Sequence, residues 1–209
     1  MIYFLDLFGT AVFAITGSLA AGRKRMDIFG IVVVAAVTAL GGGSLRDLIL
    51  GARPVFWVSD PAYILVTTIA ALLTFIAGRF WELHSRLLVV ADAFGLAAFT
   101  IIGAQKALDA GVARGIVVLM GVLTGVAGGM VRDVLCGEIP LILRKEVYAT
   151  ASLLGALVFV ALMSLGLSKP VLLVVSMLTI LLVRLAAIRW GLSLPVFSPD
   201  EPLGTKRQD

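Results

Sequence analysis

The 209-residue sequence contains one cysteine, one histidine and few charged residues. A single cysteine, Cys136, excludes an internal disulfide, and one cysteine with one histidine, His84, excludes a zinc site built from Cys and His ligands. Charged residues make up 14% of the chain, against about 25% in soluble domains. The chain therefore lacks the polar surface that a water-soluble globule needs.

Apolar residues take the place of the missing charges, at 60% of the sequence and a mean hydropathy of +1.09. A bilayer-spanning helix needs about 20 largely apolar residues, and the chain divides into segments of that length at charged or proline-bearing joints. We therefore predict an all-α integral membrane protein. Its seven predicted spans are Ile2–Gly22, Asp27–Leu50, Pro61–Phe80, Leu87–Lys106, Ala113–Cys136, Val147–Leu167 and Pro170–Ile188.

The net formal charge of +4 is explained by the membrane rather than by a nucleic acid partner. Most Lys and Arg residues fall on the side that holds the C-terminus, which predicts an N-out, C-in orientation. The first span precedes Arg23-Lys24-Arg25 instead of following a basic segment, which is the reverse of a secretion signal. We expect a multi-pass protein of the inner (plasma) membrane.

An internal repeat is visible at an offset of 86 positions. The matched residues are Asp6 with Asp92, Gly17 with Gly103, Gly42-Gly43 with Gly128-Gly129, Arg46-Asp47 with Arg132-Asp133, and Gly51 with Gly137. Because each copy contains three spans, an odd number, the second copy enters the membrane from the opposite side. The predicted organisation is a first three-helix repeat (1–86), a second, inverted one (87–168), a seventh helix (169–190) and a disordered cytoplasmic tail (191–209).

Two glycine clusters lie inside the second and fifth spans, at Gly41-Gly42-Gly43 and Gly128-Gly129. Each glycine weakens a helix by up to ~1 kcal/mol relative to alanine and permits a kink or an unwound turn. Unwound backbone must face protein or water, where its carbonyls can replace part of a cation's hydration shell. These glycines are candidate pore hinges. The alternative is that they only allow neighbouring helices to approach closely.

Charged residues accompany the glycines in both spans, as Arg46-Asp47 and Arg132-Asp133. A charge at the membrane centre costs roughly 2.5–3.5 kcal/mol, so these side chains should face the bundle interior or water and are candidates for an ion path. Asp6 and Asp92 lie at matching depths as supporting intramembrane charges. We predict the ion pairs Asp6 with Arg46 and Asp92 with Arg132; the alternative is that such pairs only hold the bundle together.

Enzymatic chemistry has little support in the sequence. Gly43-Ser44 could suggest an intramembrane serine hydrolase, but the one histidine, His84, lies in the loop after the third span. We predict no enzyme, no cofactor and no fixed metal site.

The chain resembles the prokaryotic TRIC family, the trimeric intracellular cation channels, in its inverted helix triplets, its seventh helix and its two Gly-Gly-x-x-Arg-Asp motifs. The resemblance covers residues 1 to about 190. It implies a homotrimer in membrane lipid, with a pore in each subunit lined by the kinked second and fifth helices, K⁺ as the permeant ion and Na⁺ as a further candidate. Some bacterial relatives are described as glycine transporters, so a secondary transporter of glycine or another small neutral amino acid is the alternative function.

Overall fold

The computed structural model describes residues 2–80, 85–144 and 147–193. Within these ranges the chain forms eight α-helices and one short 3₁₀ helix, which confirms the predicted all-α class. The helices are α1 (Ile2–Arg23), α2 (Ile28–Leu50), α3 (Phe56–Ser59), α4 (Ala62–Phe80), α5 (Ser85–Asp109), α6 (Arg114–Leu135), α7 (Ala149–Ser164) and α8 (Lys169–Trp190), with the 3₁₀ helix at Leu141–Leu143. His84, and the predicted tail from residue 194 onward, lie outside the described residues.

The predicted spans correspond to the seven longer helices with small shifts at their ends. Six of these helices are long and apolar enough to cross a membrane. The exception is α7, which has 16 residues and is shorter at both ends than the predicted span Val147–Leu167. At 1.5 Å per residue α7 is roughly 24 Å long, less than the ~30 Å hydrocarbon core. It ends early because Gly166 follows it with a positive φ of 69°.

Glycines terminate α2 and α6 in the same way. Gly51 (φ 70°) and Gly137 (φ 66°) adopt the left-handed conformation that glycine tolerates best. The amide after each glycine donates to the carbonyl of the preceding aspartate at 2.8 Å, from Ala52 to Asp47 and from Glu138 to Asp133. The chain then turns back into α3 after α2 and into the 3₁₀ helix after α6. The sequence analysis missed both short elements.

The interior of the bundle is built mainly from small residues, while large apolar side chains lie on its surface. Helices α1 and α5 contain the most buried segments of the six long helices. Large side chains such as Phe4, Phe29 and Leu182 are exposed. This pattern is expected in a membrane. Lipid tails are as apolar as a leucine side chain, so burying large apolar side chains between the helices brings no hydrophobic gain.

Equivalent helices of the two halves run antiparallel where they touch. Gly9 of α1 lies against Phe99 of α5, and Gly95 of α5 lies against Phe13 of α1. Such reciprocal contacts arise when two copies are related by a two-fold axis. The same reciprocity relates α2 to α6. The bundle is therefore an inverted pair of helical units, as the odd number of spans in each copy predicted.

Candidate functional site

The centre of the bundle is the crossing of α2 and α6. A Cβ atom added to Gly42 would collide with the carbonyl oxygen of Thr124, and one added to Gly128 would collide with the carbonyl oxygen of Thr38. Glycine at these two positions therefore lets the two helix backbones touch. Because the repeat offset also relates Thr38 to Thr124, the crossing lies on the pseudo-two-fold axis.

Two groups of charged side chains lie on opposite sides of this crossing. The contact between α1 and α5 is centred midway between Gly9 and Phe13 on α1, and midway between Gly95 and Phe99 on α5. Asp6 lies about five residues before this centre on α1, and Asp92 lies about five residues before it on α5, which runs in the opposite direction. At 1.5 Å per residue, the two carboxylates are separated by roughly 15 Å along the helix axes. The first cluster consists of Asp6, Arg46, Asp47, Phe56, Tyr63 and Lys106, and the second of Asp92, Arg132, Asp133, Tyr148 and Arg184.

Asp6 is the acid at the centre of the first cluster and is only 3% exposed. The Tyr63 hydroxyl donates a hydrogen bond to its Oδ2 at 3.1 Å. The Lys106 ammonium lies 3.8 Å from the same oxygen. A buried carboxylate needs such partners, because an ion without them loses its hydration uncompensated. Helices α1, α4 and α5 are thus joined at one end of the bundle.

The Phe56 ring contacts both cations of the first cluster. The guanidinium carbon of Arg46 lies 5.5 Å from the centre of the Phe56 ring, and the Lys106 nitrogen lies 5.2 Å from it. Both distances are within the range of cation–π attraction. The Phe56 and Tyr63 rings also pack edge to face, with centroids 4.6 Å apart. The short helix α3 thus places Phe56 among the charges that the sequence located on α1 and α2.

The second cluster contains the most buried ion pair. Arg132 Nη1 lies 2.6 Å from Asp92 Oδ1, and both side chains are fully buried. The Arg184 guanidinium of α8 lies 4.9 Å from the centre of the Tyr148 ring. A Cβ atom added to Gly129 would lie 3.1 Å from the Tyr148 hydroxyl and 3.4 Å from the Asp92 carboxylate. Gly129 therefore leaves room for the polar groups of this cluster.

Each Arg-Asp motif forms the same local arrangement. The arginine Nε donates to Oδ1 of the following aspartate, at 2.8 Å in Arg46-Asp47 and 2.9 Å in Arg132-Asp133. The aspartate Oδ2 accepts a backbone amide from the returning chain, that of Phe56 at 3.0 Å and of Leu141 at 2.9 Å. The aspartates thus orient the arginines and anchor the turn after each helix.

One of the two predicted ion pairs forms and the other does not. Asp92 pairs with Arg132, as predicted. Asp6 forms its salt bridge with Lys106 rather than with Arg46, which pairs with Asp47. The prediction for the first repeat was wrong because the sequence does not reveal that the end of α5 packs beside the start of α1.

Of the kink or unwound turn that the glycines permit, the structure shows no unwound turn. Helix α2 is continuous through Gly41, Gly42 and Gly43, and α6 is continuous through Gly128 and Gly129. The helical hydrogen bonds persist because the intrinsic cost of glycine, ~1 kcal/mol, is small beside the packing that close approach allows. Gly42 and Gly128 thus have the close-packing role weighed as the alternative. The hinge role of the five glycines stays a prediction.

The sequence analysis did not assign Phe56, Tyr63, Lys106, Tyr148 or Arg184 to a site. Arg184 had a signal, because a cation inside the seventh span is costly unless it faces the bundle interior. Arg184 is 1% exposed and lies over the Tyr148 ring, as Lys106 lies over the Phe56 ring of the first cluster. Helix α8 therefore completes the second cluster, although it lies outside the repeat.

The family model described as "Glycine transporter" matches residues 3–79 and 89–164, one segment in each half of the chain. The UPF0126 inner membrane protein YadS of Escherichia coli K12 is 48% identical over 203 residues, covering 96% of this chain and 98% of that protein. A UPF0126 membrane protein of Vibrio cholerae is 48% identical over 199 residues, covering 95% and 83%.

Solved structures agree with these matches. The TRIC trimeric intracellular cation channel orthologue from Rhodobacter sphaeroides has a TM-score of 0.88 and 46% sequence identity, covering 91% of this chain and 98% of that chain. This chain belongs to the TRIC family. A second TRIC cation channel superimposes with a TM-score of 0.86 at 35% identity, covering 95% and 98%.

Membership of the TRIC family confirms two further predictions. The protein is a multi-pass membrane protein, as its six long apolar helices indicate, and its relative YadS is described as an inner membrane protein. It belongs with membrane channels rather than with enzymes. The family model is described as a glycine transporter, whereas the matched TRIC structures are described as cation channels. These are the two functions between which the sequence alone did not decide.

Proposed function

We propose that this TRIC-family protein is a K⁺-conducting channel that assembles as a homotrimer with one pore in each subunit. The proposal rests on the two buried charge clusters, which lie on opposite sides of the α2–α6 crossing. Such clusters are costly in a membrane and are found where ions or substrates pass. The matched TRIC structures, described as cation channels, support the channel and the trimer.

The proposed path runs from the first cluster, along α1, to the centre of the bundle and on to the second cluster. Thr10 lies one helical turn from Asp6 and is fully buried, and its hydroxyl has no hydrogen-bond partner within the described residues. A hydroxyl in this position can hydrate or ligate a passing cation. Phe13 and Phe99 close the path at the centre. Helices α2 and α6 line the path, and Na⁺ is a second candidate permeant ion.

Opening this path requires the α2–α6 crossing to loosen. The two backbones touch at Gly42 and Gly128, where no side chains interdigitate, so a small tilt of either helix can separate them. A Cβ atom added to Gly41 would come no closer than 4.0 Å to the Val37 side chain, so Gly41 can absorb a bend in α2 without collision. Arg46 and Arg132 follow one turn later on the same helices and would move with them. We therefore assign the hinge to the glycines and the ion path to the neighbouring charges.

A substituted-cysteine experiment tests the location of the path. In a Cys136→Ala background, Thr10→Cys should become sensitive to a water-soluble, positively charged thiol reagent, with K⁺ current through purified protein in bilayers falling after treatment. The matched control is Leu65→Cys, whose position is 60% exposed on the outer surface of α4 and so faces lipid. Current that is insensitive at Thr10→Cys but sensitive at Leu65→Cys would contradict the proposed path.

A secondary transporter of glycine or another small neutral amino acid is the second candidate. The description of the matching family model supports it. Inverted repeats and buried charges at mid-membrane depth serve transporters as well as channels. Saturable uptake of radiolabelled glycine into proteoliposomes, competed by unlabelled glycine, would favour this alternative.

A further inference from the structure

A small cavity lies beside the second cluster, at the end of the bundle that the sequence predicts to be cytoplasmic. Its volume is about 170 Å³. It is lined by Asp133 of the second cluster and by Cys136, directly after α6. Three charged side chains that are partly exposed also line it: Lys24 after α1, and Glu138 and Arg144 after α6. The cavity therefore connects the second cluster with the surface of the bundle.

Two cations hold Glu138 at this cavity. The Lys24 ammonium lies 2.7 Å from its Oε1, and Arg144 Nη2 lies 3.1 Å from its Oε2. Arg144 is itself held in place, since its Nε donates to the carbonyl oxygen of Ile139 at 2.7 Å. Lys24 and Glu138 are 114 positions apart, so their contact joins the end of α1 to the chain after α6 and thus the two copies of the repeat. We call Lys24, Glu138 and Arg144 the ion-pair bridge.

The opposite end of the bundle has no equivalent of the ion-pair bridge. At the repeat offset of 86 positions, the residues that correspond to Lys24, Glu138 and Arg144 carry no charge. They are Ala110, Ala52 and Val58. The backbone is nevertheless alike at both ends, because the amides of Ala52 and Glu138 make equivalent hydrogen bonds. The inverted architecture therefore does not need the bridge, which indicates a role that belongs to one end of the path.

The strength of the bridge is that of a contact that opens and closes. Its side chains are 38–48% exposed. An exposed ion pair changes an equilibrium constant by no more than about fivefold, and salt weakens it further by screening. The pair of Asp92 with Arg132 is fully buried and so is screened much less. The bridge can therefore open while the buried pair of the second cluster stays intact.

We propose that the ion-pair bridge is a gate at the predicted cytoplasmic mouth of the path: while Glu138 is paired it closes the cavity beside Asp133, and when the pairs break it opens that cavity to water. The effect on cation passage rests on the proposed channel function. Opening of the cavity does not, because Cys136 lines the cavity, is 5% exposed and reports access of water without any current.

The modification rate of Cys136 measures the opening of the cavity. Because the chain has one cysteine, a water-soluble maleimide labels this position alone in the purified full-length protein in phosphatidylcholine nanodiscs. Lys24→Gln removes one ion pair and should raise the rate by up to roughly fivefold, and Glu138→Gln removes both and should raise it by up to roughly 25-fold. Added salt should raise the wild-type rate and leave the Glu138→Gln rate unchanged.

Two controls separate opening from a change in the reactivity of the thiol. A nearby positive charge favours the reactive thiolate, so the loss of the Lys24 charge alone would slow the reaction, and faster labelling of Lys24→Gln reports exposure. Asp109→Asn breaks the exposed pair of Asp109 with Lys169, which does not line the cavity, and should leave the rate unchanged. Slower labelling of Lys24→Gln with faster labelling of Glu138→Gln is the pattern of charge alone and would overturn the proposal. Rates equal to that of the wild type would also overturn it.

Single-channel recording tests the consequence for conduction. Glu138→Gln should raise the open probability of the K⁺ current, whereas Asp109→Asn should leave it unchanged. Faster labelling of Cys136 in Glu138→Gln with an unchanged open probability would overturn the bridge as a gate of the ion path. Faster labelling with no unitary current in any variant, wild type included, would count against the channel function instead and leave the opening of the cavity established.

Discussion

Phe13 and Phe99 face each other at the middle of the bundle with ring centroids 5.1 Å apart, although 86 positions separate them in the sequence. Each is the repeat equivalent of the other, and each packs beside the glycine of the opposite copy, Gly95 or Gly9. A residue meets its own equivalent only near a two-fold axis. This contact therefore marks the symmetry centre of the subunit, between the two buried charge clusters.

The glycines of α2 give the first prediction. Gly42→Ala should destabilise the protein by roughly 1–3 kcal/mol, because its new methyl group would force the α2 and α6 backbones apart. Gly41→Ala is the matched control: its neighbour Val37 lies 4.0 Å from the added Cβ, and alanine should stabilise the helix by about 0.5–1 kcal/mol. Thermal unfolding in detergent measures both. Equal loss of stability in the two variants would refute the close-approach role of Gly42.

The Gly41→Ala variant also tests the hinge. If Gly41 absorbs the bend that opens α2, the variant should keep its fold and have a lower open probability in single-channel recordings, since alanine stiffens the helix. An unchanged open probability would remove Gly41 from the hinge and leave the glycines with a packing role alone.

The buried pair of Asp92 and Arg132 gives the second prediction. Asp92→Asn should cost up to about 3–5 kcal/mol of stability, because it breaks the 2.6 Å ion pair and leaves Asp133 as the remaining acidic partner of the buried Arg132 charge. The double variant Asp92→Asn/Arg132→Gln should lose less than the sum of the two single variants. Asp109→Asn is the control, since the pair of Asp109 with Lys169 is exposed and should contribute ~1 kcal/mol at most. Additive losses in the double variant would show that the two residues are not coupled.

Lys106 gives the third prediction, which concerns conduction rather than stability. Its ammonium lies beside Asp6 and over the Phe56 ring, within the proposed path. One positive charge about 10 Å from a passing cation raises its energy by roughly 1.7 kcal/mol at an effective dielectric constant near 20. Lys106→Gln should therefore increase K⁺ conductance by up to roughly twentyfold, whereas the exposed Lys169→Gln should leave it unchanged. A lower K⁺ conductance in the Lys106→Gln variant would show that the Lys106 charge has a structural role only.

The contact between Lys24 and Glu138 gives the fourth prediction. The Lys24 ammonium lies 2.7 Å from Glu138, and this hydrogen bond and positive charge hold the pKa of that carboxyl below its usual value of 4.5. Because the folded pKa is the lower one, the contact stabilises the folded protein above pH 4.5, and its contribution is lost as the pH falls through the folded pKa. The difference in unfolding temperature between wild type and Glu138→Gln should shrink on acidification from pH 7. A constant difference would contradict this account.

The sequence predicted the features that follow from local pattern. Apolar runs located the long helices, and the matching offset of Asp6 and Arg46 to Asp92 and Arg132 predicted an inverted repeat with one correct ion pair. These signals lie within single helices or in the comparison of two copies. They do not depend on which helices become neighbours.

The remaining features depend on tertiary packing. The partnership of Asp6 with Lys106 requires α5 to end beside the start of α1, and Phe56 joins the first cluster only because Gly51 turns the chain back. Helix α2 stays continuous through its glycines because Gly42 packs against the Thr124 carbonyl oxygen, a contact that the sequence does not reveal. Helix α7 ends early at a glycine that follows a strongly apolar run.

The central claim is that cations pass through each subunit between the two charge clusters. Purified protein in a planar bilayer, with KCl as the only electrolyte at a tenfold gradient and no glycine present, tests it most directly. The account predicts unitary current steps that reverse near the K⁺ equilibrium potential, roughly 59 mV from zero for a tenfold gradient of a monovalent ion. Absence of unitary steps, with saturable glycine uptake by the same preparation in proteoliposomes, would contradict it.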